Sequence, residues 1–212
     1  VGKVKLLDVD DGSHNVFVPF DEYLAGEVAD TIRVAATLQT KLIRGFSFYH
    51  PQGTDPAEHI PQAVEQLGKI VDACAEAGLV YGLEIEPNLI GETGELLAEL
   101  CRQVDHPSMV CIYDGGNVAA QNKTRLQVLD ELRDMMDYIG WMHIKDYTID
   151  PSLTWTGAVD EERLKNFVPA DIGDAGHDSL LRELKDRLPE LETRMVALGA
   201  PGFFLEVEPH LK

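Results

Sequence analysis

Short apolar runs that alternate with stretches of helical periodicity constrain this chain more than any other feature. Leu42–Tyr49 reads as a strand. The next stretch, from about Ala57 to Ala77, carries Val64, Leu67, Ile70, Val71 and Cys74 at three- and four-residue steps, with Gly78 as a helix stop. Val80–Glu86, Thr93–Val104, Met109–Asp114, Lys123–Tyr138 and Gly140–Lys145 continue as strand, helix, strand, helix and strand. A polar connection, Asp146–Ala170, leads to a helix over Ser179–Leu198 and a last strand over Gly202–Glu208. Before Leu42 a helix is predicted over roughly Asp21–Gln39. Strands separated by helices are the pattern of parallel βαβ units. Neither GxGxxG nor GxxxxGK[ST] is present, so a (β/α) barrel is expected rather than a nucleotide-binding doubly wound sheet. The connection 146–170 is long for a βα loop, carries Trp155, Gly157 and a DEER run, and is expected to cover an active site.

The chain has 212 residues, 44% of them hydrophobic, enough for one sizeable core and against intrinsic disorder. Acidic side chains outnumber basic ones 37 to 18, for a net charge of −19. A surface that negative repels nucleic-acid backbones and anionic lipid, so neither partner is expected. No run of about 18 apolar residues and no basic-then-apolar leader is found. Cys74, Cys101 and Cys111 are odd in number and lack CxxC spacing, which points away from a disulfide framework or structural zinc and toward a reducing compartment. A soluble, cytoplasmic, single-domain protein over residues 1–212 is the expectation.

The strand ends carry the chemistry. Four apolar strands finish in LEIEP, IYDGGN, MHIKD and LEVEPH. In a parallel barrel all the carboxyl ends open onto one face, where the loops build the active site. Glu84, Glu86, Asp114, His143, Glu206 and Glu208 are therefore expected to converge. Alternation puts Glu84 with Glu86, His143 with Lys145, and Glu206 with Glu208. A single carboxylate at a strand end is usually a solvated residue or a helix cap. Four acid- or His-tipped strands are hard to explain that way, because buried charges are costly unless paired or metal-bound. Three carboxylates and one imidazole suit Mn²⁺ or Mg²⁺, with Co²⁺ and Zn²⁺ also compatible. A metal at such a site can polarise a carbonyl, and two flanking glutamates can move a proton on the adjacent carbon. Aldose–ketose isomerisation or epimerisation is the implied chemistry.

At these strand ends the sequence resembles the sugar phosphate isomerase/epimerase family, the xylose isomerase-like TIM barrels. Glu84-Ile85-Glu86 with Gly91-Glu92-Thr93 resembles the end of the family's fourth strand, and Asp114 with Asn117 its fifth. Met142-His143-Ile144-Lys145-Asp146 is similar to vHiKD, and Glu206-Val207-Glu208-Pro209-His210-Leu211 to sLEPHL. Arg44-Gly45-Phe46-Ser47-Phe48 resembles the third strand, and Val168-Pro169-Ala170 through Gly176 the Gly-rich loop around the seventh. Asp171-Ile172 departs from the usual Gly-Glu there, against a phosphate-cradling loop.

The resemblance implies a TIM (β/α)8-type barrel with six strands readable and the first two strands lacking from this sequence. It implies that Glu84, Asp114, His143 and Glu208 bind a divalent metal, and that Glu84 and Glu208 are the catalytic proton carriers. Glu86 and Glu206 are alternates on the same strands. Lys145, His210, Arg44 and His50 are candidates to hold a sugar or sugar phosphate, and Asp146 to orient His143 or Lys145. The implied activity is a metal-dependent isomerase or epimerase of carbohydrate metabolism working through a metal-bound enediolate, manganese being the favoured ion. The alternatives are an inosose-type dehydratase on the same site, or a non-catalytic sugar-binding or oligomerising relative; a homo-oligomer fits an open barrel edge. An endonuclease-IV-like activity is disfavoured by the single strand-end histidine and the acidic surface.

Overall fold

The computed structural model describes residues 1–208. A first helix, α1, runs through Phe20–Tyr23, a π-helical Leu24–Val28 and Ala29–Leu38 (together 20–38), and ends at Gln39 in a left-handed conformation. The elements that follow are β1 (Leu42–Gly45), α2 (Ile60–Glu76), β2 (Val80–Glu84), α3 (Gly94–Val104), β3 (Met109–Asp114), α4 (Gly115–Ala119), α5 (Arg125–Asp134) and β4 (Ile139–Ile144). After them come β5 (Asp146–Tyr147), β6 (Phe167–Val168), α6 (His177–Lys185), α7 (Leu188–Ala197) and β7 (Leu205–Val207). Strands β1, β2, β3, β4 and β7 form one parallel sheet in that order, a half-barrel of the TIM type.

Local chemistry sets the element boundaries. Asp55 caps the 3-10 turn Pro56–His59 that leads into α2, its carboxylate accepting from Ala57 N at 2.9 Å. Helix α2 buries Ile60, Ala63, Leu67, Ile70, Val71 and Cys74, a stripe at helical spacing. The Thr93 hydroxyl accepts from Leu96 N at the start of α3, and Thr124 and Gln127 form a capping box on α5. The predicted helix 179–198 is two helices. Pro189 has no N–H to give to the carbonyl four residues back, and its ring crowds that carbonyl, so the chain turns at Asp186–Arg187 and restarts.

Among the described residues the parallel sheet holds five strands rather than the six expected. The opening segment lies beside Tyr49 through single bridges at Lys5, and Phe167–Val168 pairs antiparallel with Asp146–Tyr147. Tyr81, Leu83, Cys111, Tyr113 and Met142 pack with the helices in the main core. Alternation puts Val80, Val110, Ile112 and Trp141 on the other face, where they form a smaller cluster with Met195 and Ala200. Glu84, Asp114 and His143 continue that second face to the carboxyl ends of their strands. No helix among the described residues is long and apolar enough to cross a membrane.

Candidate metal centre

Four side chains from four strand ends meet. One ligand-type atom from each of Glu84, Asp114, His143 and Glu208 lies within 4.8 Å of the others. Parallel register brings this about: Asp114 lies opposite His143, and His143 opposite Glu206, with Glu208 two residues further along the same face. His143 Nδ1 is 3.1 Å from Glu84 Oε1, 3.6 Å from Asp114 Oδ2 and 3.3 Å from Glu208 Oε2. Asp114 serves two ends at once. Its Oδ1 caps α4 by accepting from Asn117 N at 2.9 Å, which leaves Oδ2 directed at the cluster.

The donor set fits a divalent cation. Glu84 Oε2, Asp114 Oδ2 and His143 Nε2 are buried atoms with no hydrogen bond among the described residues. Arg44 Nη1 lies 3.2 Å from Glu84 Oε2, and Lys145 Nζ lies 2.8 Å from Asp114 Oδ2, with His143 Nδ1 3.6 Å from that same oxygen. Burying three carboxylates together is unfavourable without such compensation. Oxygen-rich sets with one imidazole are those that hard and borderline divalent ions take.

The electrostatics of these groups are strongly coupled. Burial pushes the Glu84 carboxyl above its usual range, and the Asp114 charge adds to that against the hydrogen bond with His143. Burial would raise Asp114 too, but Lys145 and His143 hold it below its ordinary value. Glu208 is held well below the usual carboxylate range because His143 and Lys145 outweigh its burial. For His143, burial disfavours the charged ring, yet Asp114, Glu208 and Glu84 together bring it up to about 11. Lys145 is raised by Asp114 and Glu208 despite its burial.

The cluster floors a cavity of about 700 Å³ lined by Lys3, Arg44, Phe46, Glu84, Lys145 and Glu208 and, from the 146–170 connection, by Val159, Glu161, Leu164 and Phe167. That connection therefore supplies one wall of the cavity. It is knit by Arg163, 2% exposed, which donates to the Leu153 and Thr154 carbonyls and stacks on Trp155. Asn88 latches it: Nδ2 donates to Val159 O and Oδ1 accepts from Val159 N, each at 2.9 Å.

The expected residues divide clearly. Lys145 and Arg44 line the cavity beside the cluster. Glu86 lies outside the four-residue group, because β2 ends at Glu84, yet it lines the same cavity; its carboxylate meets Lys3 and accepts from Asn117 Nδ2 at 2.7 Å, the nitrogen that also donates to Glu84 Oε1 at 3.2 Å. Glu206 is an exposed neighbour, 3.3 Å from His143 Nε2. His50 is placed away from the cavity lining, in the loop after β1, with its Nδ1 3.2 Å from Thr54 Oγ1 and its ring stacked on His59. His210 lies outside the described residues. Asp146 orients neither His143 nor Lys145 through its side chain. Its carboxylate accepts from Tyr147 N, Gly173 N and Ala175 N and holds the loop before α6. Lys3 and Asn88 were not foreseen. Lys3 has no sequence signal, whereas Pro87-Asn88 is a turn dipeptide and Asn88 adopts φ 69°.

A family model described as xylose isomerase-like TIM barrel matches residues 24–188. No curated protein matches the sequence. Among solved structures, the probable 3-DHS dehydratase AsbF from Bacillus anthracis aligns at 17% identity and TM-score 0.64, over 92% of this chain and 66% of that one. The IolI protein with a bound zinc atom aligns at 18% and 0.66, over 97% and 64%. A D-tagatose 3-epimerase-like protein aligns at 19% and 0.61, over 99% and 70%. The chain thus spans roughly two thirds of the length of these proteins, and at such identities the likeness is one of fold. With more than half of its residues matched by the family model, the chain belongs to the xylose isomerase-like TIM-barrel family.

Proposed function

We infer that the protein is a divalent-metal-dependent isomerase or epimerase of sugars or sugar phosphates, acting by proton transfer next to a carbonyl. The convergence of Glu84, Asp114, His143 and Glu208 at the floor of the cavity carries this reading. These four residues would hold the ion, with Mn²⁺ or Mg²⁺ favoured by the carboxylate majority. When bound, the ion supplies Lewis-acid polarisation of the substrate oxygens. Glu84 and Glu208 come from strands on different sides of the cluster and move the proton. Both lie beside the cavity within reach of a bound substrate, which lets one take a proton and the other return it. The segment 146–170 walls one side of the cavity.

The test is solvent-deuterium incorporation into a panel of ketoses with added Mn²⁺. Incorporation at a single carbon is expected with the wild-type chain and none with Glu208→Gln, whose circular dichroism should match wild type. Unchanged incorporation in the variant would remove Glu208 from the mechanism. A dehydratase is the second reading, favoured by the likeness to the probable 3-DHS dehydratase. One carboxylate would take the proton next to the carbonyl, its electron pair would form the double bond as the β C–O bond breaks, and the hydroxyl would leave as water on taking a proton; loss of water from the substrate mass separates the two. Absence of bound divalent ion by elemental analysis would favour a non-catalytic sugar-binding relative.

A further inference from the structure

Cys101 and Cys111 meet where α3 packs on β3. Cys101 lies in the last turn of α3 and Cys111 in the middle of β3, and their Sγ atoms are 3.1 Å apart. Both are free thiols. A disulfide holds its sulfurs about 2.05 Å apart, so bond formation asks for an approach of roughly 1 Å. The sheet is irregular at this point. The register between β3 and β4 steps between Cys111, opposite Ile139, and Ile112, opposite Trp141, and a disrupted ladder gives more readily than a regular one.

The two thiols differ in access. Cys101 lines a surface cavity of about 290 Å³ at the amino ends of β3 and β4, with His106, Tyr138 and Arg194 among its other walls. Cys111 is fully buried, and burial pushes its thiol up. An oxidant small enough to enter the cavity therefore meets Cys101 first, and Cys111 stands ready to resolve the product. Cys74, buried on α2, makes no sulfur contact among the described residues.

We propose that Cys101 and Cys111 form a reversible redox site, which a peroxide oxidises to a disulfide. The Cys101 thiolate attacks one peroxide oxygen, the O–O bond breaks, and the leaving hydroxide takes a proton to become water. Cys101 is then a sulfenic acid. The Cys111 sulfur attacks that sulfur and gives up its proton, the S–OH bond breaks, and a second water leaves. Two thiols are oxidised by two electrons in all, and one hydrogen peroxide is reduced to two waters. A dithiol reductant reverses the bond by exchange and is itself oxidised to a disulfide. Such a bond is transient and oxidant-dependent, unlike a structural framework, and it stands apart from the metal centre.

Treatment of the full chain with hydrogen peroxide tests it, at a dose that oxidises free glutathione, with thiols counted in denaturant and the products mapped by mass spectrometry. The wild-type chain is expected to fall from three thiols to one, to lose the mass of two hydrogens, and to yield peptides linked through Cys101 and Cys111. Dithiothreitol should restore all three thiols. Cys111→Ser should stop at a sulfenic acid on Cys101, which dimedone captures. Thiols that persist, oxygen addition to the wild-type chain without a link, a link through Cys74 or a link between chains overturns the proposal. If Cys111→Ser does not fold, the map of the wild-type chain decides alone.

Discussion

Replacing Asp146 by alanine removes one carboxylate shared by three backbone amides. Its Oδ1 accepts from Tyr147 N and Ala175 N at 2.9 Å each, and Oδ2 from Gly173 N at 3.0 Å. Tyr147 and Ala175 are fully buried, so water cannot replace the lost acceptor at those two amides, whereas Gly173 is partly accessible. A buried donor left unpaired costs about 1–3 kcal/mol, more against a charged acceptor, so two such donors put the loss at about 3–5 kcal/mol. That is a large share of a domain stability of roughly 5–15 kcal/mol. Asp146→Asn keeps one oxygen for two of the three amides and should cost about 1–2 kcal/mol. Urea unfolding followed by tryptophan fluorescence reads the difference as a lower midpoint at constant slope. Heating reads it as about 2–4 °C per kcal/mol for a chain of this size. A change of less than about 1 kcal/mol in Asp146→Ala would refute the accounting. Both variants, where folded, should bind Mn²⁺ with wild-type affinity, because no Asp146 oxygen enters the cluster. A tenfold loss of affinity would instead give Asp146 the orienting role that its place beside Lys145 implies.

Two further outcomes follow from the same contacts. In the metal-free protein the imidazole of His143 is raised to about 11 from an unfolded value of about 6.5. A raised pKa stabilises below the unfolded value and loses that contribution as pH rises toward the folded one, so the metal-free melting temperature should fall between about pH 6.5 and 11. His143→Gln should flatten this dependence, and an unchanged slope in the variant would assign it elsewhere. Asn88→Ala removes both hydrogen bonds to Val159, about 1–2 kcal/mol of local stability, and should speed limited proteolysis within residues 148–166 several-fold with little change in global unfolding. Equal cleavage rates would show that the latch does not hold the connection.

The strand and helix order was legible because each element buries one face, and that face imposes a period on the sequence. Val64, Leu67, Ile70, Val71 and Cys74 mark their helix without any tertiary information, and all but Val64 are among its fully buried residues. The four cluster residues were legible for a related reason. A charged residue at the end of a fully apolar run, as in Glu84 after Val80–Leu83 or Asp114 after Met109–Tyr113, is conspicuous against the burial that surrounds it. Pro189 marks the break before α7, while the apolar period runs across it and by itself reads as one helix.

What the sequence determined alone is thus the alternation of elements, the carboxyl-end location of the chemistry and the types of its donors. Only the tertiary structure decided among neighbours two residues apart. Glu84 rather than Glu86 joins the cluster because β2 leaves the sheet between them, where alternation no longer governs direction. Asp146 serves a distant loop because the amides of Gly173 and Ala175 come to it from some 27 residues away. His50 turns to Thr54 and His59 for the same reason. Periodicity is a property of local backbone geometry and can be read along the chain. The partner of a polar side chain is set by which segments fold against it, and that is fixed only when the whole core has closed.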